Sequence, residues 1–196
     1  MTFRSSFALA AKSLWRRCFS YGGHSVHSPF AFELLTRVVE ERALYSAFDS
    51  IREVIRQQGR SEQDLKLAFL FYRLAAHYPI KRIQVWGADC GYIQELVPLL
   101  ERATCSSPLE HPYGPYPRED LFSLFFITEE AALTQIIEGP TPAILLIPTW
   151  QNPSLKRRTI RYCKEGRLSG IRIDLPTAQL VISSPRFHLQ QYKSTL

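Results

Sequence analysis

Ile83-Gln84-Val85-Trp86-Gly87-Ala88-Asp89-Cys90-Gly91-Tyr92 is the stretch on which the fold turns. Ile83–Trp86 is short and largely apolar, a strand candidate, and it runs straight into a turn opened by Gly87 and closed by Gly91. Ile93 to Leu100 then reads as a helix, with Pro98 an awkward member of it. Strand, glycine turn and helix together open a Rossmann-like unit. Small residues in such a turn let the backbone pass close to a ligand, and the helix that follows offers free N–H groups. Gly87, Ala88, Asp89, Gly91 and Tyr92 are therefore the candidate cofactor-binding residues.

Upstream of this unit the period is helical. Ser28-Pro29 reads as an N-cap followed by proline at the first helical position, where a missing N–H costs nothing. Phe30, Leu34, Leu35 and Val38 make one apolar face of that helix. A second helical pattern carries Phe48, Ile51, Val54 and Ile55 and ends near Gly59. Ser61-x-x-Asp64 resembles a capping box with Asp in place of Glu. It opens a third helix with Leu65, Ala68, Phe69, Tyr72 and Ala76 facing inward, and Pro79 stops it.

Downstream, Pro108, Pro112, Pro115 and Pro117 lie between Ser106 and Asp120, a density no central strand holds; residues 106–120 read as a linker. Leu121 to Ile127 is a strand, Thr128 caps a helix through Ile137, and Ala143 to Ile147 is a second buried strand. Ser154 to Lys164 is a basic helix. Gly170–Leu175, Gln179–Ser183 and Phe187–Lys193 are β-like runs. The expected organisation is a helical extension over 1–78 packed on a Rossmann-like domain over 79–196, the two forming one globular unit.

The totals agree with a folded α/β domain. The chain has 196 residues, 45% apolar and 21% charged, which allows a sizeable core. Its net charge of +6 is spread thinly, with clusters at Arg16-Arg17 and Lys156-Arg157-Arg158-Arg161. No nucleic-acid motif accompanies that charge, so nucleic acid is a disfavoured partner. Cys18, Cys90, Cys105 and Cys163 have neither disulfide-framework nor zinc spacing, as expected of a cytoplasmic chain with incidental thiols. Residues 1–32 contain no Asp or Glu but carry Arg4, Lys12, Arg16 and Arg17. An amphipathic helix there fits docking on its own domain better than a membrane-surface anchor. No run of about 18 apolar residues could span a bilayer.

Gly22-Gly23-His24-Ser25-Val26-His27-Ser28-Pro29-Phe30 resembles the N-terminal signature, Gly-x-His-Ser-Pro-Phe, of a class I S-adenosylmethionine-dependent methyltransferase-like family common in Bacteroidetes. Ser169–Leu175, Leu180-Val181-Ile182 and Gln190–Lys193 look like that family's C-terminal strands. The resemblance implies a reduced Rossmann-like sheet with antiparallel C-terminal strands. It also implies S-adenosylmethionine as cofactor, cradled by the Gly87–Gly91 turn, and an unidentified methyl acceptor.

Several positions depart from that family's pattern. Val85 stands at the strand's acidic position and Asp89 at the middle glycine. Ile127-Thr128-Glu129-Glu130 replaces the acidic active-site motif, and the proline-rich stretch replaces the strand whose carboxylate holds the ribose. An Asp at 89 would set like charges against the methionine carboxylate at a cost of roughly a few kcal/mol. His24 and His27 read as turn residues, with acid–base chemistry the alternative. Glu129-Glu130 read as helix-dipole partners, His188 as a packed or exposed residue of a β-like run, and Trp86 and Trp150 as core. Two function classes remain: a methyltransferase, and a non-catalytic relative that binds a protein partner. A second copy of the chain is also an expected partner if the shortened sheet leaves an open edge.

Overall fold

A computed structural model describes residues 28–87, 89–106, 122–137, 142–150, 152–184 and 186–194. The expected N-terminal amphipathic helix, His24, His27, Ala88 and linker residues 107–120 lie outside the described residues.

Helix α1 (Pro29–Glu33) begins as its sequence dictates: Ser28 Oγ accepts the Ala31 N–H at 3.3 Å, and Pro29 takes the first turn. It then widens into a π-helical segment, Leu34–Val39, which buries Leu34, Leu35, Val38 and Val39 together. Helix α2 spans Phe48–Gln57 and α3 spans Glu62–His77. The Ser61 capping box is complete. Ser61 Oγ accepts the Asp64 N–H at 3.2 Å, and the Asp64 carboxylate accepts the Ser61 N–H at 3.0 Å. Ser61→Ala should lower stability by about 1 kcal/mol, read as a shift of the urea midpoint at constant slope.

The inward face of α3 is wider than its periodicity suggests. Leu67, Leu70, Phe71, Leu74 and Ala75 are fully buried with Ala68, whereas Leu65, Phe69, Tyr72 and Ala76 are half-buried. The reason is that α3 packs on two sides. Phe69 stacks on Phe48 of α2 at 4.0 Å, while Phe71 meets Phe126 of the sheet edge-on at 5.4 Å.

Strand β1 covers Ile80–Trp86, three residues more than the apolar run alone marks, and α4 follows over Gly91–Ser106. Helix α4 therefore passes through Pro98 and takes the first residue of the expected linker. Proline inside a helix costs ~3 kcal/mol. Burial of Tyr92, Ile93, Leu96 and Leu100 on the inner face offsets it. Then come β2 (Phe122–Ile127), α5 (Glu130–Ile137), β3 (Ala143–Pro148), α6 (Pro153–Lys164), β4 (Gly170–Asp174), β5 (Ala178–Ser183) and β6 (Gln190–Lys193). The cap of α6 is Asn152, whose side chain accepts the Leu155 N–H at 3.2 Å. The last strand is shorter than its β-like run, and His188 is exposed just before it.

These strands form one six-stranded mixed sheet, ordered β1-β2-β3-β5-β4-β6. The strands β1, β2 and β3 are parallel; β5 runs antiparallel to both β3 and β4, and β6 is parallel to β4. Parallel neighbours need crossovers, which α5 supplies between β2 and β3.

The two-residue alternation of the strands divides the core into two layers. Leu124, Phe126, Ile144, Leu146, Ile171, Ile173, Leu180 and Ile182 point to α1 and its π-helical continuation, α2, α3 and α4. Phe125, Ile127, Leu145, Ile147 and Val181 point to α5 and α6. The strands β2 and β3 are buried at every position, as a strand covered by helices on both faces must be.

Candidate functional site

In a parallel sheet the ligand-binding end lies beyond the carboxyl ends of the strands. Three segments meet there: Gly87, Asp89 and Cys90 after β1, Thr128-Glu129 after β2, and Thr149-Trp150 with Asn152 after β3.

Their contacts are mostly with one another. The Thr128 N–H donates to the Trp86 carbonyl at 3.0 Å, extending the β1–β2 ladder one step past the strands. Thr128 Oγ1 lies 3.4 Å from the same carbonyl and 3.3 Å from Cys90 Sγ. Asn152 Nδ2 donates to the Thr128 carbonyl at 3.5 Å, tying in the third strand end. Thr128 is thus a different kind of residue from the helix cap that the sequence suggests. Its hydroxyl faces β1, and α5 begins at Glu130.

This arrangement explains Gly87. Its φ is +125°, a conformation L side chains rarely adopt. A Cβ at this position would overlap Thr128 Oγ1 and lie 3.3 Å from Glu129 Cγ. The open face that a glycine would offer to a ligand is filled by the chain's own threonine. Gly91 is different, because a Cβ there would meet nothing within 4 Å.

The other candidate residues separate. Asp89 is exposed at the tip of the turn. Cys90 is fully buried, and burial, with Asp89 and Glu129 nearby, raises its thiol pKa against the opposing pull of the Thr128 hydrogen bond. Tyr92 is only 2% exposed and turns into the large core. Its hydroxyl donates to Asp64 Oδ1 at 3.2 Å, and the Arg60 guanidinium lies 5.0 Å from its ring centroid. Burial and then the Asp64 carboxylate push its pKa upward. It serves as a brace between α3 and α4.

The acidic residues after β2 divide in the same way. Glu130 accepts from Ser154 Oγ at 2.6 Å and from Arg158 Nη1 at 2.8 Å, and those bonds hold its carboxyl below the usual range. It pins α5 to α6. Glu129 is exposed beside the turn. Trp86 and Trp150 are half-buried, Trp86 against the α5–α6 layer and Trp150 against the layer of N-terminal helices.

Arg60, Thr128 and Asn152 were not marked as site residues by sequence reasoning. Only Asn152 carried a legible signal, since Asn-Pro before a helical run is an N-cap followed by proline. Among the described residues no group of three His, Cys, Asp or Glu side chains could hold a metal ion. A cavity of about 90 Å³ lies at the opposite end of the strands, lined by Ile136, Leu145, Leu168, Ser169 and Ser183 among others.

The residues present do not fit S-adenosylmethionine well. The glycine face is filled by Thr128, the carboxylates flanking the turn are Asp89 and Glu129, and no described residue at the end of β1 offers a carboxylate. No family model, curated protein or solved structure matches the chain.

Proposed function

We propose that the chain is methyltransferase-like by descent, and that its S-adenosylmethionine site is closed, leaving a non-catalytic scaffold for a protein partner. The descent rests on the sequence signature at Gly22–Phe30. It is supported by a parallel β1-β2-β3 half, a glycine turn after β1, and an antiparallel β5 placed between β3 and β4. Such a half-parallel sheet with antiparallel C-terminal strands is what the resemblance implies.

The loss of cofactor binding rests on one observation: Thr128 Oγ1 occupies the face of Gly87 that a bound ligand would need. Asp89 adds negative charge to the turn beside which the methionine carboxylate would lie, a repulsion that solvent screens because Asp89 is exposed. Fold alone does not establish activity, and the site carries the argument.

A thermal-shift titration with S-adenosylmethionine and S-adenosylhomocysteine tests this reading. A ligand that binds only the folded state raises the melting temperature in proportion to the logarithm of its concentration over Kd. No shift at millimolar ligand is expected. A saturating shift in the wild-type protein would overturn the closed-site reading and restore methyl transfer as the activity to assay.

A further inference from the structure

Helix α6 carries five basic residues, and they fall into two groups. Lys156 and Arg158 are neutralised: Lys156 Nζ lies 2.7 Å from Asp174 Oδ1, and Arg158 Nη1 lies 2.8 Å from Glu130 Oε2. Arg157, Arg161 and Lys164 are exposed and have no ion pair among the described residues. Their spacing of i, i+4 and i+7 puts them on one stripe along the outer face of α6.

Within that stripe Arg157 and Arg161 are like charges at i, i+4, which repel weakly, with Glu130 near Arg157 and Glu165 four residues after Arg161 easing the repulsion. Arg161 and Lys164 occupy the last turn and offset the carbonyl end of the helix. Arg157 lies nearly two turns further back, beyond the reach of that effect. Exposed Arg167 continues the positive surface past the helix end, with Glu165 the adjacent carboxylate. The large hydrophobic residues exposed among those described, Phe32, Leu44 and Leu189, are all elsewhere. The stripe therefore attracts a surface by charge alone, without stacking or apolar insertion.

We infer that the Arg157–Arg161–Lys164 stripe is an electrostatic docking face for an anionic lipid bilayer. A single convex helix with no exposed aromatic ring suits laterally mobile lipid phosphates. Single-stranded nucleic acid is held instead by grooves with stacking platforms. This inference stands apart from the question of cofactor binding.

The test is co-sedimentation of the full chain with phosphatidylcholine vesicles, with and without phosphatidylserine, at low ionic strength. Binding is expected only when phosphatidylserine is present, and added salt should release it. Each Lys or Arg near an anionic surface strengthens partitioning roughly fivefold, so Arg157→Gln/Arg161→Gln/Lys164→Gln together should weaken it by roughly a hundredfold. These residues are exposed and only Arg161 and Lys164 compensate the helix dipole, so the triple variant should stay folded and lose at most a few degrees of melting temperature. Arg52→Gln/Arg56→Gln on α2, in the opposite layer, should partition like the wild type. The inference is overturned if the wild type ignores phosphatidylserine, or if the triple variant binds as well as the wild type. Tighter binding to a single-stranded RNA oligonucleotide at the same salt concentration would overturn it as well.

Discussion

Gly87→Ala is expected to destabilise the protein by about 2–6 kcal/mol, the sum of backbone strain and overpacking. The strain arises because φ at this residue is +125°. The overpacking arises because the new methyl would overlap Thr128 Oγ1 and lie 3.2 Å from Thr128 Cβ. Thr128 has little freedom to yield. Its N–H is bonded to the Trp86 carbonyl, and its hydroxyl sits between that carbonyl and Cys90 Sγ. Chemical denaturation should show a lower midpoint with an unchanged slope.

A double variant separates the two causes. Thr128→Ala removes the overlapping hydroxyl but leaves the backbone strain. Gly87→Ala/Thr128→Ala should therefore be less destabilised than the sum of its parts, a coupling expected of residues in contact. Gly91→Ala is the internal control and should change stability little, since its added methyl enters open space. A neutral Gly87→Ala would mean that Thr128 does not close the turn, and the closed-site reading would fall with it.

Phe126→Ala is expected to cost about 3–5 kcal/mol, the range for deleting a fully buried aromatic side chain. Phe126 is 0% exposed, one residue before the end of β2. It meets Phe71 of α3 at 5.4 Å and Tyr92 of α4 at 6.1 Å, both edge-on. It is therefore the point at which the N-terminal helices, the helix after the glycine turn and the sheet share one packing unit. Neighbours held on three elements collapse poorly into a vacated space, which keeps the cost high. A loss below about 1 kcal/mol would mean that the helical layer repacks freely over the sheet.

Much of this fold was legible residue by residue. The Ser28-Pro29 start, the Ser61–Asp64 capping box, the unbroken apolar runs of β2 and β3, and the strand–turn–helix order at Ile83–Leu100 all express local rules. Each rests on backbone hydrogen bonding or side-chain period within a few residues, so a sequence states it directly. Errors came where tertiary packing overrides those rules. Helix α4 keeps Pro98, as its pattern suggests, but runs on past Leu100 to Ser106, the first residue of the expected linker. Leu34–Val39 takes a π-helical form that presents two adjacent pairs of apolar residues to the core, and α3 buries two sides because α2 and the sheet both claim it.

The glycine turn itself divides the same way. By sequence alone, Gly87 and Gly91 were two equivalent members of a cofactor loop, with Tyr92 beside them and Thr128 a helix cap some forty residues later. Nothing local links Thr128 to Gly87. The parallel pairing of β1 with β2 carries the residue after each strand to the same end of the sheet, and only that register sets the Thr128 hydroxyl against the glycine. The sequence determined that the chain would make this turn. The tertiary structure decided what fills it, because the occupant comes from another strand.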